Sequence, residues 1–196
     1  MKYKLYRIGI LVILVSFMGF AVENIWLAVT KGYINNRNMN LPFLLGYGLA
    51  MVAIYILFGT PSEMTFLTRF PVKASRLVKF MLYFVCVMFC ICIGEIILGV
   101  VTEKLCSIEY WNYSLIPLHI TKYTSVPTSM GFAVMVTLFM EKAFPLLLDK
   151  LGSIDGRAIR VIVYVLLLAM AVDFIICYGH MIRTQNFYEK WRITLS

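Results

Sequence analysis

The chain has 196 residues, of which 61% are hydrophobic and 14% charged, and its mean hydropathy is +0.84. So little polar surface excludes a water-soluble globule of this size and points to a membrane protein. The formal net charge of +8 does not point to nucleic acid, because Lys and Arg stand in short clusters between apolar runs, as juxtamembrane residues facing anionic lipid do.

The first apolar run covers residues 5–29. Lys2, Lys4 and Arg7 precede its core, but Ala21-Val22-Glu23-Asn24-Ile25-Trp26 follows where a signal peptide would carry a small-residue cleavage site, so a retained span is expected. A short polar segment, residues 31–38, makes the first helix a neighbour of the second, expected over 41–58. Further runs cover 78–101, 128–148 and 159–182, each long enough to cross a hydrocarbon core as a helix. The expected fold is an all-α membrane protein, a bundle of about five transmembrane helices forming a single transmembrane domain over residues 1–196.

Counting Lys and Arg gives the orientation. With the N-terminus inside, the inner segments hold Lys2, Lys4, Arg7, Arg69, Lys73, Arg76, Lys79, Lys150, Arg157 and Arg160, and the outer ones hold Lys31, Arg37, Lys104, Lys122, Arg183, Lys190 and Arg192. The positive-inside rule therefore favours N-terminus in and C-terminus out. The segment 60–77 mixes Phe66, Leu67, Phe70 and Val72 with Arg69, Lys73 and Arg76, which suits the headgroup boundary. The segment 102–127 carries Tyr110, Trp111, Tyr113 and Tyr123 for an interface. No internal repeat is evident. Five spans speak against a self-sufficient carrier made of inverted repeats. The five cysteines show no CxxC spacing and read as small hydrophobes.

Ionisable residues inside a bilayer are expensive and must face protein, water or a partner. They are Glu23 beside Asn24 in the first run, Glu95 in the third with Glu103 eight residues later, and Asp173 in the fifth with His180 seven residues later. Both spacings put the pair on roughly one helix face. In the expected topology all of them fall in the outer half, with Asn36, Arg37, Trp111 and Tyr113 in outer loops. One reading is an outward-facing polar cavity that binds a cation, a proton or a polar substrate group, with Arg37 free to pair a carboxylate or bind a phosphate. The other is a lock of buried hydrogen bonds and an ion pair such as Glu23 with Arg37. Asp173, Glu95 and His180 include metal-ligating types but show no ligand spacing, so no metal is expected. Glu141 and Lys142 are adjacent, point to different faces and are expected to snorkel to the inner interface. Gly94 and Gly99 near Glu95, and Gly46 and Gly48 around Tyr47, permit close helix approach. No GxxxxGK[ST] element is present, so an ATP-driven activity needs another chain. Asn112-Tyr113-Ser114 fits a glycosylation acceptor, a match common by chance.

Two blocks carry a family resemblance. The first is Gly19-Phe20, Glu23-Asn24-Ile25-Trp26, Asn36-Arg37, Pro42-Phe43 and Tyr47-Gly48; the second is Gly94-Glu95, Glu103-Lys104-Leu105, Tyr110-Trp111-Asn112-Tyr113-Ser114 and Pro117-Leu118. Together they resemble the bacterial ABC-transporter permease family of the CmpB type. Asn112 departs from the usual Asp of the family's WDYS-like motif, and Lys122-Tyr123-Thr124 from a usual Arg-containing segment. The resemblance implies a small polytopic protein of the bacterial cytoplasmic membrane, at most one permease-like subunit. The expected function is a permease-like component binding a small polar or cationic solute or a lipid headgroup. The binding residues would be Glu23, Asn24, Asn36, Arg37, Glu95, Glu103, Trp111, Tyr113, Asp173 and His180, with Glu95 and Asp173 primary. Two other readings stay open: a membrane enzyme acting on a lipid or isoprenoid through a carboxylate or His180, and a non-catalytic assembly subunit. Expected partners are the lipid bilayer and a separate ATPase or other membrane subunit, with a homo-oligomer left open. No cofactor and no nucleic acid are expected.

Overall fold

The computed structural model describes residues 5–151 and 156–195; Lys2 and Lys4 of the orientation count lie outside them. Helices dominate, and every strand belongs to a two-stranded ribbon. Four helical rods are long and apolar enough to cross a membrane: α1 (Leu5–Lys31), α3 (Arg76–Cys106), the continuous stretch Val126–Lys150, and α6 (Arg157–Thr184). Their outward faces stay apolar, as Phe89, Ile93 and Ile97 on α3 and Ile162, Val165 and Leu168 on α6 are all exposed. In water such stripes would be buried, whereas lipid accepts them and requires the backbone to pair within each rod. The chain is therefore an all-α, multi-pass membrane protein.

The second helix, α2 (Leu45–Phe58), has 14 residues. At 1.5 Å per residue it reaches about 21 Å, short of the roughly 30 Å hydrocarbon core. It begins later than the apolar run because Pro42 lies in that run and because the Asn40 and Leu41 amides donate to Asp173 instead of entering a helix. By contrast α3 outruns its apolar core at both ends. Ser75 caps its start by accepting from the Val78 amide, and the ladder runs through Thr102, Glu103 and Lys104 to a left-handed Ser107.

The chain divides into two compact units, Met1–Val52 with Leu148–Ser196, and Ala53–Leu147. In the first, α1 packs against α6, and strand β1 (Tyr33–Asn35) pairs antiparallel with β6 (Arg192–Thr194). In the second, α3 packs against α4 (Val126–Leu138). Two ribbons accompany them: β2 (Thr65–Phe66) with β3 (Phe70–Pro71), and β4 (His119–Thr121) with β5 (Thr124–Ser125).

The rod Val126–Lys150 is not uniform. After α4 comes a π turn, Phe139–Ala143, closed by the Phe144 amide on the Phe139 carbonyl, and then α5 (Phe144–Lys150). Pro145 supplies the reason: it cannot donate to the Glu141 carbonyl and its ring crowds that carbonyl, so the turn before it widens. The wider turn carries Glu141 inward. Glu141 does not snorkel, since its side chain is 8% exposed and pairs at 2.9 Å with Arg76, which is 81% exposed. Ser62 donates to the same carboxylate at 2.6 Å.

Candidate functional site

In the first unit, Glu23 sits late in α1 and accepts from three donors. Arg37 Nε reaches Oε2 at 2.7 Å, with Nη2 beside it, and the Tyr47 hydroxyl reaches Oε1 at 2.8 Å. Arg37 adopts a left-handed backbone fixed by its amide on Asn35 Oδ1 at 3.0 Å. Asn24, one residue on from Glu23, accepts from the Asn35 amide at 2.8 Å, so α1 holds the start of the loop that brings Arg37 back. Asn36 is buried and staples the C-terminal segment. Its amide nitrogen donates to the Met39 and Tyr188 carbonyls, and its oxygen accepts from the Lys190 amide.

Asp173 forms a second group. It is buried on α6 and accepts from the Asn40 and Leu41 backbone amides at 3.1 and 2.9 Å, and from Asn40 Nδ2 at 2.7 Å. Cys177 Sγ lies 3.5 Å away. Such a ring of N–H donors fastens the start of α2 to α6. His180 is not in this group; its ring stacks edge-on against Tyr188, 4.9 Å between centroids.

In the second unit Glu95 accepts only from hydroxyls, Thr124 at 2.6 Å and Ser129 at 3.2 Å. A hydroxyl can donate or accept, so the hydrogen bonds of this group can reverse, whereas the amides around Asp173 can only donate. Two turns further along α3, Glu103 accepts from Lys122 Nζ at 2.8 Å and from the Tyr123 hydroxyl. Lys122 also bridges to Glu109 at 2.9 Å. Trp111 Nε1 donates to the Tyr123 carbonyl and the Tyr113 amide to the Lys122 carbonyl, which places those two residues over Glu103. The paired carboxylates hold the Lys122 ammonium well above the usual lysine range. Lys122 and Asn112 hold Glu109 below the usual carboxylate range, and the Glu103 carboxylate pushes the Tyr123 phenol up.

One construction thus occurs twice. Gly19 and Glu23 in the first unit correspond to Gly99 and Glu103 in the second, with Tyr47 matching Tyr123 and Arg37 matching Lys122. In each, the tyrosine ring lies on the glycine and its hydroxyl reaches the glutamate. A Cβ on Gly19 would stand 2.5 Å from Tyr47 Cγ, and one on Gly99 2.3 Å from Tyr123 Cδ1. The neighbouring Gly94 and Gly46 have nothing within 4 Å, so only Gly48 and Gly99 of the four glycines are close-approach points.

Beside the second construction lies a cleft of about 500 Å³ lined by Val100, Glu103, Lys104, Ser107, Lys122 and Tyr123. Lys104 is exposed and has no ion-pair partner among the described residues. A smaller cleft in the first unit, about 170 Å³, is lined by Phe20, Asn36, Met39, Asn40, Leu41, Pro42 and Trp191. Among the described residues no three His, Cys, Asp or Glu side chains converge on a metal site.

The acids were visible as charges in apolar runs, but most of their partners were not. Tyr47, Asn40, Lys122, Tyr123, Thr124 and Ser129 are ordinary residues for loops and helix starts. The signal that would have exposed two of them is the repeated Gly-x-x-x-Glu at the ends of α1 and α3, each followed within about two dozen residues by a tyrosine next to Gly48 or Thr124.

No curated protein and no solved structure matches the chain. The sequence model of the family described as "Putative ABC-transporter type IV", the CmpB type that the two motif blocks resemble, matches residues 10–178. That stretch contains all four polar groups and, of the expected site residues, leaves out only His180. This multi-pass membrane chain belongs to that transport-related family.

Proposed function

We propose that the chain is a permease-like subunit of the bacterial cytoplasmic membrane, oriented N-terminus in and C-terminus out. It binds a small polar solute or a lipid headgroup in a polar cleft open to the outer face. The observation that carries this reading is the cleft of about 500 Å³ beside Glu103 and Lys122. Glu103 is already engaged by Lys122 and Tyr123, so the charge left for a ligand is that of Lys104. An anionic or zwitterionic group, such as a carboxylate or a phosphate, complements it better than a simple cation does. Energy would come from a separate ATPase chain, since this sequence lacks the phosphate-cradling loop.

The test is thermal unfolding of the full chain in detergent, with glycerol phosphate, phosphoethanolamine, a neutral amino acid and a polyamine as probes. Stabilisation by a phosphate or zwitterionic probe that disappears in Lys104→Gln is expected. A probe that stabilises wild type and Lys104→Gln equally overturns the cleft, and no stabilisation by any of the four overturns solute binding.

A second reading, an assembly subunit whose charges only fasten the chain, is favoured by Asp173. Its carboxylate is engaged by Asn40 and Leu41 and has little capacity left for a solute. Co-purification of a specific membrane partner, together with failure of every probe above, would select it.

A further inference from the structure

The ribbon β2–β3 has a base that is built in and a tip that is not. At the base Met64 is buried, Gly59 bridges to it, and the Val72 amide donates to the Met64 carbonyl at 2.9 Å. From α3, the Tyr83 hydroxyl donates to the Gly59 carbonyl at 3.1 Å and Lys79 Nζ to the Ser62 carbonyl at 2.8 Å. At the tip Leu67 and Thr68 both have a left-handed backbone, φ +52° and +55°, a conformation that a leucine and a β-branched residue rarely adopt. The side chains so displayed are apolar: Leu67 is 59% and Phe70 60% exposed, with Phe66 beside them.

Two cations accompany this apolar tip. Arg69 stacks over the Phe70 ring at 5.8 Å, and both Arg69 and Lys73 are exposed. Neither has an ion-pair partner among the described residues. The one acid nearby in sequence is Glu63. Connectivity fixes the level of the ribbon. It follows α2 directly and precedes, by five residues, the spanning helix α3, whose first turn exposes Leu77 and Val78 to the same surroundings. A segment tied to the mouth of a membrane helix, with exposed aromatics and unpaired cations, meets the headgroup layer before it meets water.

We infer that the β2–β3 tip is a lipid-reading foot: Phe66, Leu67 and Phe70 enter the acyl boundary while Arg69 and Lys73 bind the phosphates of anionic lipids. A soluble protein partner would also cover apolar side chains, but it would not require the foot to sit at the membrane mouth. Two unpaired cations favour an anionic surface, each adding about five-fold to lipid enrichment.

The experiment uses the full chain carrying Leu67→Trp in nanodiscs, with the signal of the native protein subtracted for Trp26, Trp111 and Trp191. Brominated-chain phosphatidylglycerol is compared with brominated-chain phosphatidylcholine at equal mole fraction. Stronger quenching by phosphatidylglycerol is expected, and Arg69→Gln with Lys73→Gln should bring the two lipids level while quenching persists. Equal quenching without those substitutions overturns the anionic preference. An unquenched tryptophan overturns the foot: hydrated emission would place the tip in water, and blue-shifted emission under a protein partner.

Discussion

At Gly99 a single hydrogen atom allows the Tyr123 ring to lie on the α3 backbone, and that contact aims the phenol at Glu103. Gly99→Ala would force the ring away, because the new Cβ would stand 2.3 Å from it. A loss of about 1–3 kcal/mol is expected, read as a lower melting temperature in detergent. Gly94→Ala, with nothing within 4 Å, should instead be neutral or gain up to about 1 kcal/mol from helix propensity. The carboxylates divide in the same way. Asp173→Asn would turn an NH₂ toward amides that can only donate, costing about 1–3 kcal/mol, whereas Glu95→Gln meets hydroxyls that reverse and should cost less than about 1 kcal/mol. Equal melting temperatures for the two variants would contradict this account. Which acids matter was legible in the sequence, since each interrupts an apolar run. How they are satisfied was not: backbone N–H groups from Asn40 and Leu41 have no residue identity to read.

Among the elements, the π turn and the β4–β5 segment make the most definite demands. The Glu141 side chain is buried and its Oε2 has no hydrogen-bond partner among the described residues, while its cation Arg76 reaches in from an exposed position. Removing either partner is therefore asymmetric. Glu141→Gln leaves Arg76 to water and should cost about 1 kcal/mol. Arg76→Gln leaves a buried carboxylate without its cation and should cost about 3 kcal/mol or more. Urea unfolding in detergent would rank the two.

In the segment before α4, Glu109 is held below its usual 4.5 by Lys122. Its contribution is thus complete above pH 4.5 and fades as pH falls through the lower folded value. Lys122 is held above its usual 10.5, so its share is complete below that pH and fades as pH rises through the higher folded value. Protease resistance of residues 107–125 should accordingly stay level between these limits and drop outside them. Hydropathy found every long helix but misplaced its ends. Charges at Thr102-Glu103-Lys104 lower hydropathy without breaking the α3 ladder, and Pro145 is visible in the sequence without saying whether it kinks a helix or widens a turn.

For the whole molecule, the repeated construction gives each compact unit its own Gly, Glu, Tyr and cation. It escaped a reading along the chain because only three of the four residue types recur, Arg37 replaces Lys122, and the glutamate-to-tyrosine stretch differs in length between the copies. If each unit is cooperative on its own, Gly99→Ala should speed amide exchange within Ala53–Leu147 and leave Met1–Val52 unchanged. Uniform acceleration across the chain would show a single cooperative unit instead.

The widened turn also settles how this membrane rod must be drawn. Because the π turn absorbs one residue, positions beyond Ala143 lag by one, about 100°, on a wheel drawn for a regular helix. Cross-links or labels designed on one wheel for all of Val126–Lys150 would miss by a full position beyond Ala143. Deleting one residue between 139 and 143 would restore the wheel while turning Glu141 away from Ser62.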